Sequence, residues 1–207
     1  MLSIETITLF FTASVLLSLS PGPDNIFVLI QSMTQGFKAG SVIILGLCSG
    51  LLTHSIAVVL GVAVIFQTSE VAFTVLKLVG AAYLIYLAWG ALRAKPSELN
   101  QEQQRLPLKQ LYFRGIVMSS TNPKLSIFFM AFLPQFVTPE TGNVTLQLIT
   151  LSGLFILAAL LVFHTIALLS GYLGNKLNES DRVQLFLNRL SGFVFVGLAL
   201  KLVTTDR

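Results

Sequence analysis

The chain has 207 residues and a formal net charge of +4; 54% of its residues are hydrophobic, only 11% are charged and 16 are phenylalanines. Its mean hydropathy of +0.82 leaves too little polar surface to clothe a soluble globule of this size, so soluble classes are excluded and an integral membrane protein is expected. The sequence pI of about 9.4 does not call for a nucleic-acid partner, because the basic residues lie mostly between apolar segments, where they set topology.

A bilayer core about 30 Å thick takes about 20 apolar helical residues per span. The apolar segments run over roughly 4–30, 41–66, 71–92, 111–133, 144–172 and 187–203. The predicted fold is therefore all-α, a polytopic membrane helix bundle of six transmembrane helices forming one domain over 1–207; five spans with a re-entrant first segment is the alternative. Long β-alternation is absent, which argues against a barrel.

The first segment ends in Ser18-Leu19-Ser20, a small-x-small pattern that resembles a signal-peptide cleavage site. Residues 1–5 carry no positive side chain, however, and apolar sequence resumes directly after Pro21-Gly22-Pro23, so the segment is expected to stay as a span. Within it, Pro21, Gly22, Pro23, Asp24 and Asn25 are the residues a membrane helix tolerates least. Span two holds Cys48, the Gly46/Gly50 pair and His54. A single cysteine rules out an intrachain disulfide or a dithiol carrier. The glycine pair serves close helix packing, within the chain or between copies in a homo-oligomer. In span three, Lys77 is placed to snorkel to the membrane surface.

The polar stretch 94–110 divides the chain into a first repeat of about 1–93 and a second of about 111–207. Three spans lie in each half, and since three is odd, any structural repeat must be inverted across the membrane. A break in span one then requires a counterpart in span four, and Asn122, Pro123 and Lys124 supply it. Span five carries His164 beside Thr165, as span two carries His54 beside Thr53.

Orientation follows from the Lys and Arg residues between spans. Lys38, then Arg93, Lys95, Arg105, Lys109 and Arg114, then Lys176, Arg182 and Arg189 fall in alternate connections, 31–40, 93–114 and 174–189, while 67–70 and 134–143 contain none. The basic connections are predicted cytoplasmic and both termini periplasmic, with Lys201 and Arg207 against the trend.

Proline inside a helix removes an N–H donor at a cost of about 3 kcal/mol or more, and the freed groups cannot face lipid. Such breaks survive only against a cavity or protein. Pro23 and Pro123 each suit the first position of a new half-helix, with Asn122 a good N-cap, so two helix N-termini would point inward as a site for an anion such as a carboxylate. Asp24 and Lys124, each costing roughly 2.5–3.5 kcal/mol on a lone lipid-exposed helix, must face inward. They are read either as a structural ion pair or as the lining of a substrate or proton path. His54 and His164 are read either as proton relays or as hydrogen-bonded packing residues.

The stretches SPGPDNIFVLIQSMTQGFKAGSVIILGLCSG, GAAYLIYLAWGALR and NPKLSIFFMAFLPQFV resemble the signatures of the LysE/RhtB family of bacterial amino-acid exporters, and the similarity covers nearly the whole chain. The resemblance implies a bacterial inner-membrane efflux transporter for amino acids or related small metabolites, driven by the proton gradient, with Pro21, Gly22, Pro23 and Asp24 in its central motif. It leaves the substrate open among basic amino acids, threonine or homoserine, leucine and sulfur compounds. No cofactor is expected. The competing reading is a divalent-metal exporter of related three-plus-three architecture, but that chemistry wants several converging His, Asp, Glu or Cys ligands, and Asp24 is the only carboxylate deep in a span. A membrane enzyme ranks third, since the chain has no HExxH, nucleophile elbow or acidic cluster.

Overall fold

The first helix, α1 (Ile4–Leu19), starts at Ser3, whose hydroxyl accepts the Thr6 N–H at 3.1 Å, and it ends at Ser20. After the extended Gly22, Pro23 occupies the start of α2 (Pro23–Gln35), where its missing N–H breaks no helical bond. The two helices are bent by 62°. Next come α3 (Phe37–Thr68) and α4 (Glu70–Arg93). Beyond the polar stretch, α5 (Leu108–Thr121) meets α6 (Pro123–Ile127), which passes into a π-helical turn at Phe128–Phe132 and a 3-10 turn at Leu133–Phe136. This second break bends the chain by 49°. Last are α7 (Val144–Leu168), capped by Asn143, and α8 (Asp181–Thr204). This computed structural model describes residues 2–68, 70–95, 105–172 and 181–204; the central polar residues 96–104, and 173–180 with Lys176, lie outside them.

The sequence-based boundaries shift in three places. The connection expected at 31–40 is a single-residue turn, because α2 runs to Gln35 and Gly36 takes a left-handed φ of 83° before α3 begins. The fourth span starts at Leu108, earlier than expected, and its far half is not regular α-helix. Arg182 and Arg189 belong to α8 rather than to a loop.

Phe37–Gly61, Val144–Leu168 and Gln184–Thr204 are each long and apolar enough to cross a bilayer alone, and counting each bent pair as one span brings the number to five. α4, with 24 residues, is about 36 Å long at 1.5 Å per residue and supplies the sixth helix of the sequence reading. Large apolar side chains on the outside, such as Leu60, Tyr86, Leu161 and Phe193, form the lipid-facing surface.

The packing repeats between the halves. α3 packs on α5 and α7, while α7 packs on α1 and α2; α4 packs on α8; α1 touches α8, as the 128–132 turn touches α4. Exchanging the first three spans for the last three maps these neighbours onto one another, the pattern an inverted repeat gives. The α3–α5 seam depends on small residues: a Cβ on Gly50 would lie 2.6 Å from that of Ser119, and one on Gly115 would lie 2.6 Å from the Ile43 carbonyl oxygen. Gly46 and Gly50 thus serve packing within the chain.

Candidate functional site

The two helix breaks meet in the middle of the bundle. Asn122 ends α5 and caps α6, its Oδ1 accepting the Lys124 backbone N–H at 3.0 Å. That bond fixes the amide orientation, so Nδ2 turns to the other break and donates to Asp24 Oδ2 at 2.7 Å. Asp24 is only 3% exposed, and its Oδ1 has no hydrogen-bond partner. Asn25 closes the first break locally by donating from Nδ2 to the Ser18 carbonyl at 2.7 Å.

Lys124 does not contact Asp24 directly. Its ammonium group donates to the Ser20 carbonyl at 3.3 Å and approaches the Leu17 carbonyl at 3.5 Å, at the C-terminal end of α1, where the helix dipole favours a cation. A Cβ added to Gly22 would lie 3.3 Å from Lys124 Nζ, close enough that the amine would have to shift slightly. The direct ion pair considered from the sequence is replaced by Asn122, which touches both partners. Pro21 lies half-buried beside the break, while Pro23 and Pro123 are exposed at the starts of α2 and α6 and set backbone direction. The amide cap at Asn122 also occupies the first free N–H of α6, whereas α2 has no side-chain cap.

Asp24 and Lys124 line one narrow cavity together with Ser18, Ser119 and apolar side chains from α3, α6 and α7. At about 10 Å³ it has room for roughly one water molecule. Beside the second break, Phe10, Phe128 and Phe132 are fully buried in the core. Phe128 and Phe132 stack with ring centroids 4.9 Å apart, and Phe10 meets Phe136 edge-on at 5.1 Å. Separately, an open groove of about 680 Å³ runs between α2 and α5, with Lys109 and Arg114 on its walls and Phe27 and Met118 among its lining residues.

His54 adjoins the cavity through Ser119 without lining it. It is 5% exposed, its Nε2 lies 2.9 Å from the Ser119 carbonyl oxygen, and its ring stands 5.8 Å from that of Phe129. A carbonyl can only accept, so Nε2 carries the proton. His164 is elsewhere, its Nδ1 bonded to Leu160 O of its own helix and its ring 6.0 Å from Phe37. Lys77 approaches the Val203 carbonyl at 3.5 Å, consistent with an anchoring role. Ser18 and Ser119, whose buried hydroxyls lack partners, were not singled out by sequence reasoning. The available signal was a small polar residue within five positions of each break proline. Among the described residues, no group of three or more His, Cys, Asp or Glu comes together as a metal site would require.

Comparison with known proteins fits this arrangement. The family model for the LysE type translocator matches residues 15–206. The chain belongs to that family. It is 36% identical over 141 residues to the homoserine/homoserine lactone efflux protein of Salmonella typhi, covering 68% of each chain. It is 29% identical over 208 residues to the leucine efflux protein of Salmonella choleraesuis, covering 94% of this chain and 93% of that one. It is also 29% identical over 191 residues to the uncharacterized membrane protein YrhP of Bacillus subtilis, covering 87% and 90%. No solved structure matches. Resemblance and family therefore agree, and the chain is a polytopic membrane translocator.

Proposed function

We propose that this translocator exports amino acids or close derivatives across a bacterial inner membrane, exchanging them for protons. The observation that carries the reading is the shared cavity at the two breaks. Asp24 presents an unpartnered carboxylate oxygen there, and Lys124 an ammonium group with two of its three N–H donors directed at carbonyls. A zwitterion complements both: its carboxylate takes the remaining Lys124 donor, and its ammonium group takes Asp24 Oδ1. When substrate leaves, a proton on Asp24 can replace the ammonium group, so the buried carboxylate is neutralised in both halves of the cycle.

In the proposed cycle the groove carrying Lys109 and Arg114, taken as cytoplasmic, admits substrate; the cavity widens around it as the breaks hinge; then the buried phenylalanine cluster beside the second break opens. The names of the efflux relatives support an amino-acid or homoserine-like cargo. Among the described residues no cluster of ligands favours a divalent metal, for which Asp24 alone is too few.

Purified protein in proteoliposomes with an imposed pH gradient, assayed with a panel of radiolabelled amino acids and with divalent metals in parallel, tests the proposal. Gradient-dependent movement of at least one amino acid is expected. Movement of a metal with no amino-acid flux would overturn it.

A further inference from the structure

We infer that the groove between α2 and α5 is a binding site for an anionic phospholipid, with the phosphate held by Lys109 and Arg114 and an acyl chain laid along Phe113, Val117 and Met118. The inference concerns the lipid around the translocator rather than its cargo, so it stands whether or not the groove also admits substrate. At about 680 Å³ the groove falls in the size range of sites for small organic ligands. Its lining is ordered along α5. Lys109 and Gln110 stand in the first turn, Arg114 lies about 9 Å beyond Leu108 at 1.5 Å per residue, and Val117 and Met118 follow. Phe113 and Val117 are exposed, while Leu111, Gly115 and Ser119 turn the opposite face of α5 into the bundle.

A charged head followed by an apolar tail is what a phospholipid presents from the membrane surface inward. Lys109 and Arg114 supply two cations, and no Asp or Glu is among the described residues that line the groove, so its charge calls for an anion. Arg114 needs one most. It is exposed on α5, which is half of a broken span, and an unpaired charge on such a helix is costly. A phosphate group meets its guanidinium fork with two parallel hydrogen bonds. Free inorganic phosphate would use the cations but leave the apolar length of the groove uncovered.

A second copy of the chain is a poorer occupant. Copies related by a two-fold axis along the membrane normal would set Lys109 and Arg114 against their own counterparts at the same depth, and like charges facing one another repel. A zwitterionic phospholipid fits the apolar part of the groove equally well. It carries its own cation beside the phosphate, however, and so gains less from the two basic side chains.

The test is native mass spectrometry of the purified protein released from micelles that contain phosphatidylglycerol and phosphatidylcholine in equal amounts. The wild type is expected to retain phosphatidylglycerol over phosphatidylcholine by roughly ten- to thirtyfold, the attraction that two basic side chains exert on an anionic lipid. Lys109→Gln, in the exposed first turn of α5, should lower that ratio about fivefold. Lys109→Gln with Arg114→Gln should bring it close to one. Arg182→Gln with Arg189→Gln, which removes the same charge from exposed positions on α8, should keep the wild-type ratio. Equal retention of the two lipids by the wild type, a preference that survives loss of both Lys109 and Arg114, or an equal loss in the α8 variant would overturn the inference. So would displacement of phosphatidylglycerol by millimolar inorganic phosphate, which marks a site for soluble anions, or a lipid-free dimer, which marks a second copy in the groove.

Discussion

Asp24 and Asn122, 98 residues apart in the chain, join the two halves of the bundle through a buried 2.7 Å hydrogen bond. Each comes from a proline-broken helix, and the same Asn122 side chain caps the helix that carries Lys124. One amide therefore links both breaks and both charges. Asn122→Ala removes a helix cap worth typically ~1 kcal/mol and a hydrogen bond to a charged group worth about 1.5–3 kcal/mol. The expected result is a lower melting temperature together with at least a severe loss of transport, read by thermal unfolding in detergent and by efflux. An Asn122→Ala protein as stable and active as wild type would show that the link is incidental.

The breaks were legible in the sequence because proline's missing N–H and the intramembrane charges are local properties of residues 21–25 and 122–124. Their counterparts in the repeat could be demanded from the parity of the spans alone. The connection at 31–40 was misread because hydropathy scores polarity and knows nothing of interior packing. Gln31 and Ser32 look like loop residues, yet both are buried on α2. The Asp24–Asn122 bond could not be read because it depends on how two distant breaks are set against each other. The π-helical turn at Phe128–Phe132 has no marker in composition, since a run of phenylalanines suits an ordinary apolar helix equally well.

The orientation is testable by cysteine labelling. In a Cys48→Ala background, Thr141→Cys places a thiol at the exposed end of the 3-10 turn at 139–141, just before α7. It is expected to react with a membrane-impermeant maleimide from the periplasmic side of intact cells. Reaction from the cytoplasmic side alone would reverse the topology drawn from the loop charges.

The two histidines should separate. His54→Ala removes the bond to the Ser119 carbonyl and packing against Phe129, so both stability and efflux are expected to fall. His54→Gln restores an N–H donor without a titratable ring, and if His54 relays protons it should recover stability but not gradient-driven efflux. His164→Ala, which loses one bond within its own helix, is expected to transport within about twofold of wild type, in line with the small effect of removing a single hydrogen bond. Equal defects at the two positions would remove the distinction between a histidine bonded across to α5 and one bonded within its own helix.

The most direct measurement of the central claim compares Asp24→Asn in two assays: efflux driven by a pH gradient, and counterflow of labelled against unlabelled substrate with no gradient. Asn at 24 keeps one oxygen for the Asn122 N–H but turns an amide N–H2 donor where Asp24 offers its second oxygen, which weakens the hold on an ammonium group, and it cannot take up and release a proton in the working pH range. The account predicts a folded protein that has lost gradient-driven efflux and retains counterflow at raised substrate concentration. The double variant Asp24→Asn with Lys124→Gln should also fail to concentrate substrate. A structural role for the two charges predicts the reverse, in which each single change harms folding and the double change restores both expression and transport. Gradient-driven export by the double variant at the wild-type rate would contradict the account.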